Sequence, residues 1–169
     1  MTTSAVYEKR GTALTFVNTG GDKLLNLKAL AAATGRLSAF YDRGANAAPG
    51  EYEIRAYASW VATVTAGEGM HVVVVESDGT HQDAGVAYHA TNDAALTLVE
   101  LQACQNYAGF VNAHTADTAE KGLCARVRIS SRYFAVGVYN SSAAKTLTDT
   151  NSVSAVVATP IYPDIQAAA

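Results

Sequence analysis

Tyr52-Glu-Ile-Arg-Ala-Tyr-Ala-Ser-Trp60 reads as a half-buried β-strand. Tyr52, Ile54, Ala56, Ala58 and Trp60 recur at every second position and so share one face, with Glu53, Arg55 and Ser59 on the other. The same period returns in Leu123-Cys-Ala-Arg-Val-Arg-Ile129, where Leu123, Ala125, Val127 and Ile129 face inward and Arg126 and Arg128 face solvent or a partner. Tyr133 to Tyr139 repeats it with Phe134, Val136 and Val138. Ser131-Arg132 between these two runs is too short for anything but a tight turn, so they read as an antiparallel hairpin.

Outward from these segments, further strands are expected at 12–17, 24–27, 36–41, 70–76, 95–101, 108–111 and 152–159. Turn chemistry separates them: Asn18-Thr-Gly-Gly-Asp22, Asp42-Arg-Gly44, Ala48-Pro-Gly50, Ala66-Gly-Glu-Gly69, Ser77-Asp-Gly-Thr80 and Asn140-Ser-Ser142. Short strands spaced in this way predict an all-β chain, an antiparallel β-sandwich of the jelly-roll kind, formed by one domain over 1–169. Its core should contain Leu14, Phe16, Ile54, Trp60, Val73, Val75, Val127, Ile129, Phe134, Val136 and Val138. Leu27 to Thr34 reads either as a short Ala-rich helix stopped by Gly35 or as a loop. Residues 1–10 and 159–169 are expected to be extended arms, because Pro160 and Pro163 lack the N–H groups that regular pairing uses.

Hydrophobic residues make up 49% of the chain and charged residues only 16%, a thinly charged surface suited to contact with other protein. A net charge of −3 gives no basic face for phosphates, so nucleic acid is not an expected partner. No apolar run has the length of a membrane span, and Met1 to Arg10 lacks the apolar segment of a signal peptide. Cys104 and Cys124 are read as two thiols in a reducing cytoplasm.

The chemistry-bearing residues do not assemble into a motif. His71, His81, His89 and His114 have no metal-ligand spacing, and no CxxC pair is present. Glu76 with Asp78, or Asp83 with Asp93, would make a carboxylate pair only if loops brought them together. There is no nucleophile elbow and no phosphate-binding glycine pattern. No catalytic residue, metal or cofactor is expected. Tyr41, Tyr57, Tyr88, Tyr107 and Tyr139 are candidates for an interface, since tyrosine is enriched at protein contacts.

Tyr7-Glu-Lys-Arg-Gly-Thr-Ala-Leu-Thr-Phe-Val17, Gly20-Gly-Asp22, Arg36-Leu-Ser38, Gly50-Glu-Tyr-Glu-Ile-Arg55 and Glu76-Ser-Asp-Gly-Thr80 resemble small structural proteins of tailed bacteriophages. So do Arg132-Tyr-Phe-Ala-Val-Gly-Val-Tyr-Asn140, Asp149-Thr-Asn151 and Ala158-Thr-Pro-Ile-Tyr-Pro-Asp-Ile-Gln166, with Ile-Tyr-Pro standing where that group has Ile-Pro. The resemblance spans most of the chain and implies a virion protein made in the host cytoplasm. It implies a capsid decoration, or cement, protein on the outer head surface, partnered by the major capsid protein and by itself as a homotrimer. A neck or tail protein and a carbohydrate-binding β-sandwich are the alternatives. Val6, Tyr7, Arg126, Arg128, Tyr139, Ile161, Tyr162 and Ile165 are the candidate capsid or subunit contacts.

Overall fold

A computed structural model describes residues 5–46, 50–80, 88–104, 106–113, 119–150 and 153–166. Its elements in chain order begin with β1 (Ala5–Arg10), β2 (Leu14–Val17), β3 (Lys23–Leu24), β4 (Thr34–Leu37), β5 (Tyr41–Asp42) and β6 (Gly50–Ser59). There follow β7 (Gly69–Ser77), β8 (Ala94–Leu96), α1 (Leu98–Ala103), β9 (Asn106–Asn112), β10 (Ala119–Ile129), β11 (Tyr133–Asn140) and β12 (Ala155–Gln166).

One sheet runs β10-β6-β12-β2-β3 with β1 also on β12, and the other runs β8-β4-β11-β7-β9 with β5 also on β11. Every pairing is antiparallel except the short β2–β3 contact. Four strands of each sheet, β2-β12-β6-β10 and β4-β11-β7-β9, follow the strand order of a jelly roll. The expected antiparallel sandwich is therefore the fold.

Phe16, Ile54, Trp60, Phe134, Val136 and Val138 fill the space between the sheets. Val72 to Val75 break the period-two pattern for a physical reason. Val72 and Val74 enter this core, whereas Val73 and Val75 face a second cluster outside the sheet, with Leu37, Phe40, Leu96 and Leu101. A strand covered on both faces needs no polar side. Gly137 lets that outer layer close, since a Cβ there would lie 2.7 Å from Val73 Cγ2 and 2.9 Å from Leu96 Cδ2. Of the expected core, only Leu14 is partly exposed, and it still packs against the inner cluster.

Several expectations are corrected. β10 and β11 do not form a hairpin: β10 pairs with β6 and β11 with β7, in opposite sheets. The Glu76 carboxylate accepts the N–H groups of Ser130 at 2.7 Å and Ser131 at 2.6 Å. Arg43 donates to the carbonyls of Ile129 and Ser131. With these backbone groups held by side chains, the connection arches between sheets instead of folding back within one. Residues 95–101 are not one strand, because Thr97 and Glu100 form a capping box that opens α1. For Leu27 to Thr34 the loop, one of the two readings left open, is what forms up to Ala33, with Ala29 and Ala33 in the left-handed region at φ 50° and 55°, and Thr34 opens β4. Glu53, on the face opposite the apolar row, is nevertheless 2% exposed because two arginines cover it.

The terminal arms are also corrected within the described residues. β12 runs through both prolines to Gln166. Along an antiparallel strand, successive residues direct their backbone polar groups to opposite sides. Pro160 is turned toward the joint between β1 and β2, where its carbonyl accepts Gly11 N–H at 2.9 Å and no ladder donor is required. Pro163 has the opposite orientation, toward a side that β6, beginning at Gly50, no longer occupies. Each missing N–H thus falls where no strand would use it.

Candidate functional site

The second half of β12 positions the most distinctive surface of the chain. Ala155 to Ile161 lies along β6, and Ile161 to Gln166 lies along Arg10 to Ala5 of β1. From Tyr162 onward β1 is the one strand neighbour of β12 among the described residues, so the two form a ribbon that outruns the sandwich. By the same alternation, β1 turns the backbone N–H and C=O groups of Val6, Glu8 and Arg10 away from β12, toward a side where the described residues supply no strand.

Two ion pairs tie the ribbon to the sheet. Arg10 donates through both terminal nitrogens to Glu53 on β6, at 2.7 and 2.6 Å, and Arg55 donates to the same carboxylate at 2.7 Å. These hydrogen bonds, Arg10 first, hold the Glu53 carboxyl down to about 2. Arg126 on β10 grips Glu8 with both terminal nitrogens, one of them at 2.7 Å, which lowers the Glu8 pKa and raises that of Arg126.

Beside the ribbon opens a cleft of about 1180 Å³. Tyr7, Glu8, Tyr162 and Pro163 line it from the ribbon, Glu51, Tyr52 and Arg128 from the β6–β10 end, and Tyr41 of β5 with Arg43 just after it from the other sheet. Arg43 stacks on Tyr52 with its guanidinium 5.6 Å from the ring centre, while its nitrogens reach the backbone of the arch. Burial, followed by the neighbouring Tyr52, raises the Tyr41 pKa. Tyr162 rests over Gly11: a Cβ at Gly11 would sit 2.7 Å from Tyr162 Cε2 and 2.8 Å from Pro160 Cγ.

The structure gathers most of the contact candidates here. Tyr7, Arg128, Ile161 and Tyr162 line the cleft, and Arg126 stands next to it through Glu8. Tyr7 and Tyr162 are half-exposed, whereas Ile161 is 7% exposed and belongs to the buried set. Val6 and Ile165 are register partners in the ribbon, and their side chains lie outside the described residues. Tyr139 is elsewhere and buried: it packs in the outer cluster and donates its hydroxyl to the Ala33 carbonyl at 2.9 Å. It offers no surface to a partner. Tyr88, also a candidate, stacks on Phe40 and Tyr133.

Sequence reading missed Glu8, Gly11, Arg43 and Glu51. Arg43 stood in a turn cluster and Glu51 at a strand start, and neither spacing signals a cleft formed by residues far apart in the chain.

The other chemistry-bearing groups have structural work. Glu76 holds the arch and also accepts from Asn106 at 2.8 Å. Asp93 accepts Asn26 N–H and pairs with Arg36. Cys104 donates its thiol to the Glu100 carbonyl at 3.2 Å. His71 meets Tyr107 Oη at 2.7 Å, and burial lowers its pKa. Among the described residues no group of three or more metal-ligating side chains gathers, and no helix is long and apolar enough to cross a membrane. His81, Asp83, His114 and the Cys124 side chain lie outside the described residues.

Compared with known proteins, the chain matches no family model and has no significant match to a curated protein or a solved structure.

Proposed function

We propose that this chain is a decoration, or cement, protein of a tailed-bacteriophage head. In this reading it binds the outer shell beside the major capsid protein and further copies of itself as a homotrimer, and it reinforces the shell mechanically. The observation that supports it is the β1–β12 ribbon, which outruns the sandwich and whose outer edges have no strand partner among the described residues. An open edge accepts a strand from another chain through backbone hydrogen bonds, largely independently of side-chain identity. The edges at Val6, Glu8 and Arg10 on β1, and at Ile165 on β12, are the docking positions. Each contact is small, yet a lattice that presents many binding positions at once raises the effective concentration of every arm. The low share of charged residues lowers the desolvation cost of covering the surrounding face.

The test is the location of the protein in an electron cryo-microscopy map of its particle, with light scattering to count subunits. Density on the outer head, and loss of decoration when residues 163–169 are deleted, are expected. That deletion spares Ile161 and the β12 segment paired with β6, so the sandwich keeps its core. Density at a neck or tail would instead assign the chain to those parts of the virion.

A further inference from the structure

The open edge of β1 is complementary to itself, and we propose that it pairs with the same edge of a second copy of this chain about a two-fold axis. The inference rests on the edge that the cement reading uses, and not on where the protein sits in a virion. Val6, Glu8 and Arg10 turn their backbone N–H and C=O groups away from β12, and among the described residues no strand takes them. β3 covers the neighbouring β2, so this side of the sheet is uncovered along the ribbon, where Tyr7 to Arg10 are all exposed.

The spacing selects one antiparallel register. Two copies of β1 set with Glu8 opposite Glu8 bring Val6 of each opposite Arg10 of the other. All three edge residues then stand in hydrogen-bonded pairs, each exchanging two backbone hydrogen bonds. Between them, in the closer non-hydrogen-bonded spacing, Tyr7 of each copy meets Lys9 of the other. Lys9 is already the register partner of Tyr162 on β12. Pairing therefore sets its ammonium between two aromatic rings, Tyr162 of its own chain and Tyr7 of the second copy, where the ring faces attract a cation. In a single copy these rings are 50% and 55% exposed. Sliding the register by two residues in either direction leaves only two of the three pairs within β1 and sets Tyr7 against Tyr7 or Lys9 against Lys9.

The charges allow this approach. Cationic side chains on an edge strand ordinarily keep other strands away. Here Arg10 is held by Glu53 and Glu8 by Arg126, on the face opposite Tyr7 and Lys9. The two Glu8 carboxylates that meet at the axis each bring a guanidinium with them, which relieves the cost of like charges directly opposed. A contact confined to residues 6–10 falls below the roughly 1,000 Å² of a stable interface, so it is weak in dilute solution and strengthens where copies are crowded. Such an isologous contact joins two copies and closes on itself; between neighbouring trimers it is a bridge.

The experiment is amide hydrogen exchange by NMR on the full chain from micromolar to millimolar concentration, with analytical ultracentrifugation. Exchange at Val6, Glu8 and Arg10 should slow several-fold as concentration rises, while Tyr7 and Lys9, which face β12, stay as they were. Val6→Pro removes one edge N–H without touching the ladder to β12 and should abolish the association, with unchanged Tyr7 and Lys9 amides showing that β1 is intact. Glu8→Cys keeps the backbone edge and places two thiols across the axis with Cα atoms about 5.5 Å apart, within disulfide reach. Mild oxidation should link residue 8 to residue 8, read by mass spectrometry of the joined peptides, whereas Tyr7→Cys, which faces Lys9, should link far less. The proposal is overturned if the edge amides exchange independently of concentration, if Val6→Pro associates as wild type, or if Tyr7→Cys links and Glu8→Cys does not. Edge amides protected at every dilution within a stable trimer would overturn it too, and would leave the virion reading untouched. Absence of the protein from phage heads would sink that reading and leave this contact standing.

Discussion

Arg10 on β1 and Glu53 on β6 meet through two parallel N–H···O bonds of 2.7 and 2.6 Å, with the carboxylate 2% exposed. This fork fixes the terminal strand to the sandwich. Glu53 also bonds Arg55, and its carboxyl is held down to about 2, against an unfolded value of about 4.3. A carboxylate whose pKa is depressed on folding contributes stability above its unfolded value and loses that contribution as pH falls through the folded one. The attachment of β1 should therefore hold at pH 5 and weaken between about pH 4 and pH 2. Hydrogen exchange of the Tyr7 and Lys9 amides, which face β12, reads this directly. In Glu53→Gln those amides should already exchange faster at pH 7, with a flatter response to acid.

The arch between β10 and β11 is held by the Glu76 carboxylate together with Arg43. Glu76 accepts from two consecutive backbone amides and from the Asn106 side chain. Hydrogen bonds to a charged group are worth about 1.5–3 kcal/mol each in favourable settings, and less where water reaches them. Glu76→Ala should cost about 2–3 kcal/mol in denaturant unfolding. Glu76→Gln keeps one acceptor oxygen and should cost less. An unchanged midpoint for Glu76→Ala would show that Arg43 and the strand ends set the crossover without it.

The inward rows of β6, β10 and β11 were legible because period two is imposed by the backbone wherever one face is buried. The same logic misreads a strand pair joined by a short connection. Local sequence between Ile129 and Tyr133 cannot reveal that Glu76, 54 residues away, will take the amide of Ser130. Thr97 and Glu100 did carry a readable cap, but Thr97 and Val99 are β-branched and favoured the strand reading. Pro160 misled for a different reason: whether its missing N–H matters depends on which neighbour its side of the strand faces. The cleft was least legible, since its walls come from β1, β2, β5 and the residue after it, β6, β10 and β12, and no motif links them.

Phe134 is the centre of the aromatic part of the core. Its ring lies 5.2 Å from Tyr52, 5.7 Å from Tyr41 and 5.8 Å from Phe16, and the residue is fully buried. Phe134→Ala should cost about 3–5 kcal/mol and lower the melting temperature by about 10 °C. Because Tyr41 and Tyr52 also line the cleft, this substitution should loosen that wall as well. Retained melting temperature would mean that the two sheets collapse onto the space left behind.

Asn140 closes the far end of β11, and its substitution gives the sharpest test of the loop packing. Its amide nitrogen donates to the carbonyls of Leu30 and Ala31 at 3.2 Å and of Lys145 at 2.8 Å. Its side-chain oxygen accepts from Ser142 N–H at 3.2 Å and lies 3.4 Å from Trp60 Nε1, and its own carbonyl accepts Ala33 N–H at 2.9 Å. One fully buried side chain thus holds the looped segment 27–34 and the turn after β11 together. Asn140→Ala leaves three carbonyls without this donor and should cost about 3 kcal/mol. Asn140→Asp has the same shape but turns a carboxylate toward those carbonyls, so at pH 7 it should cost more than Asn140→Ala. Burial and the facing oxygens raise the folded pKa of the introduced carboxyl. The folded state then binds more protons than the unfolded state, and stability rises as pH falls. Asn140→Asp should therefore recover part of its loss between pH 7 and pH 4, when protonation restores one donor. Asn140→Ala should show no such recovery. Parallel pH responses of the two variants in chemical denaturation would refute the donor role of this amide.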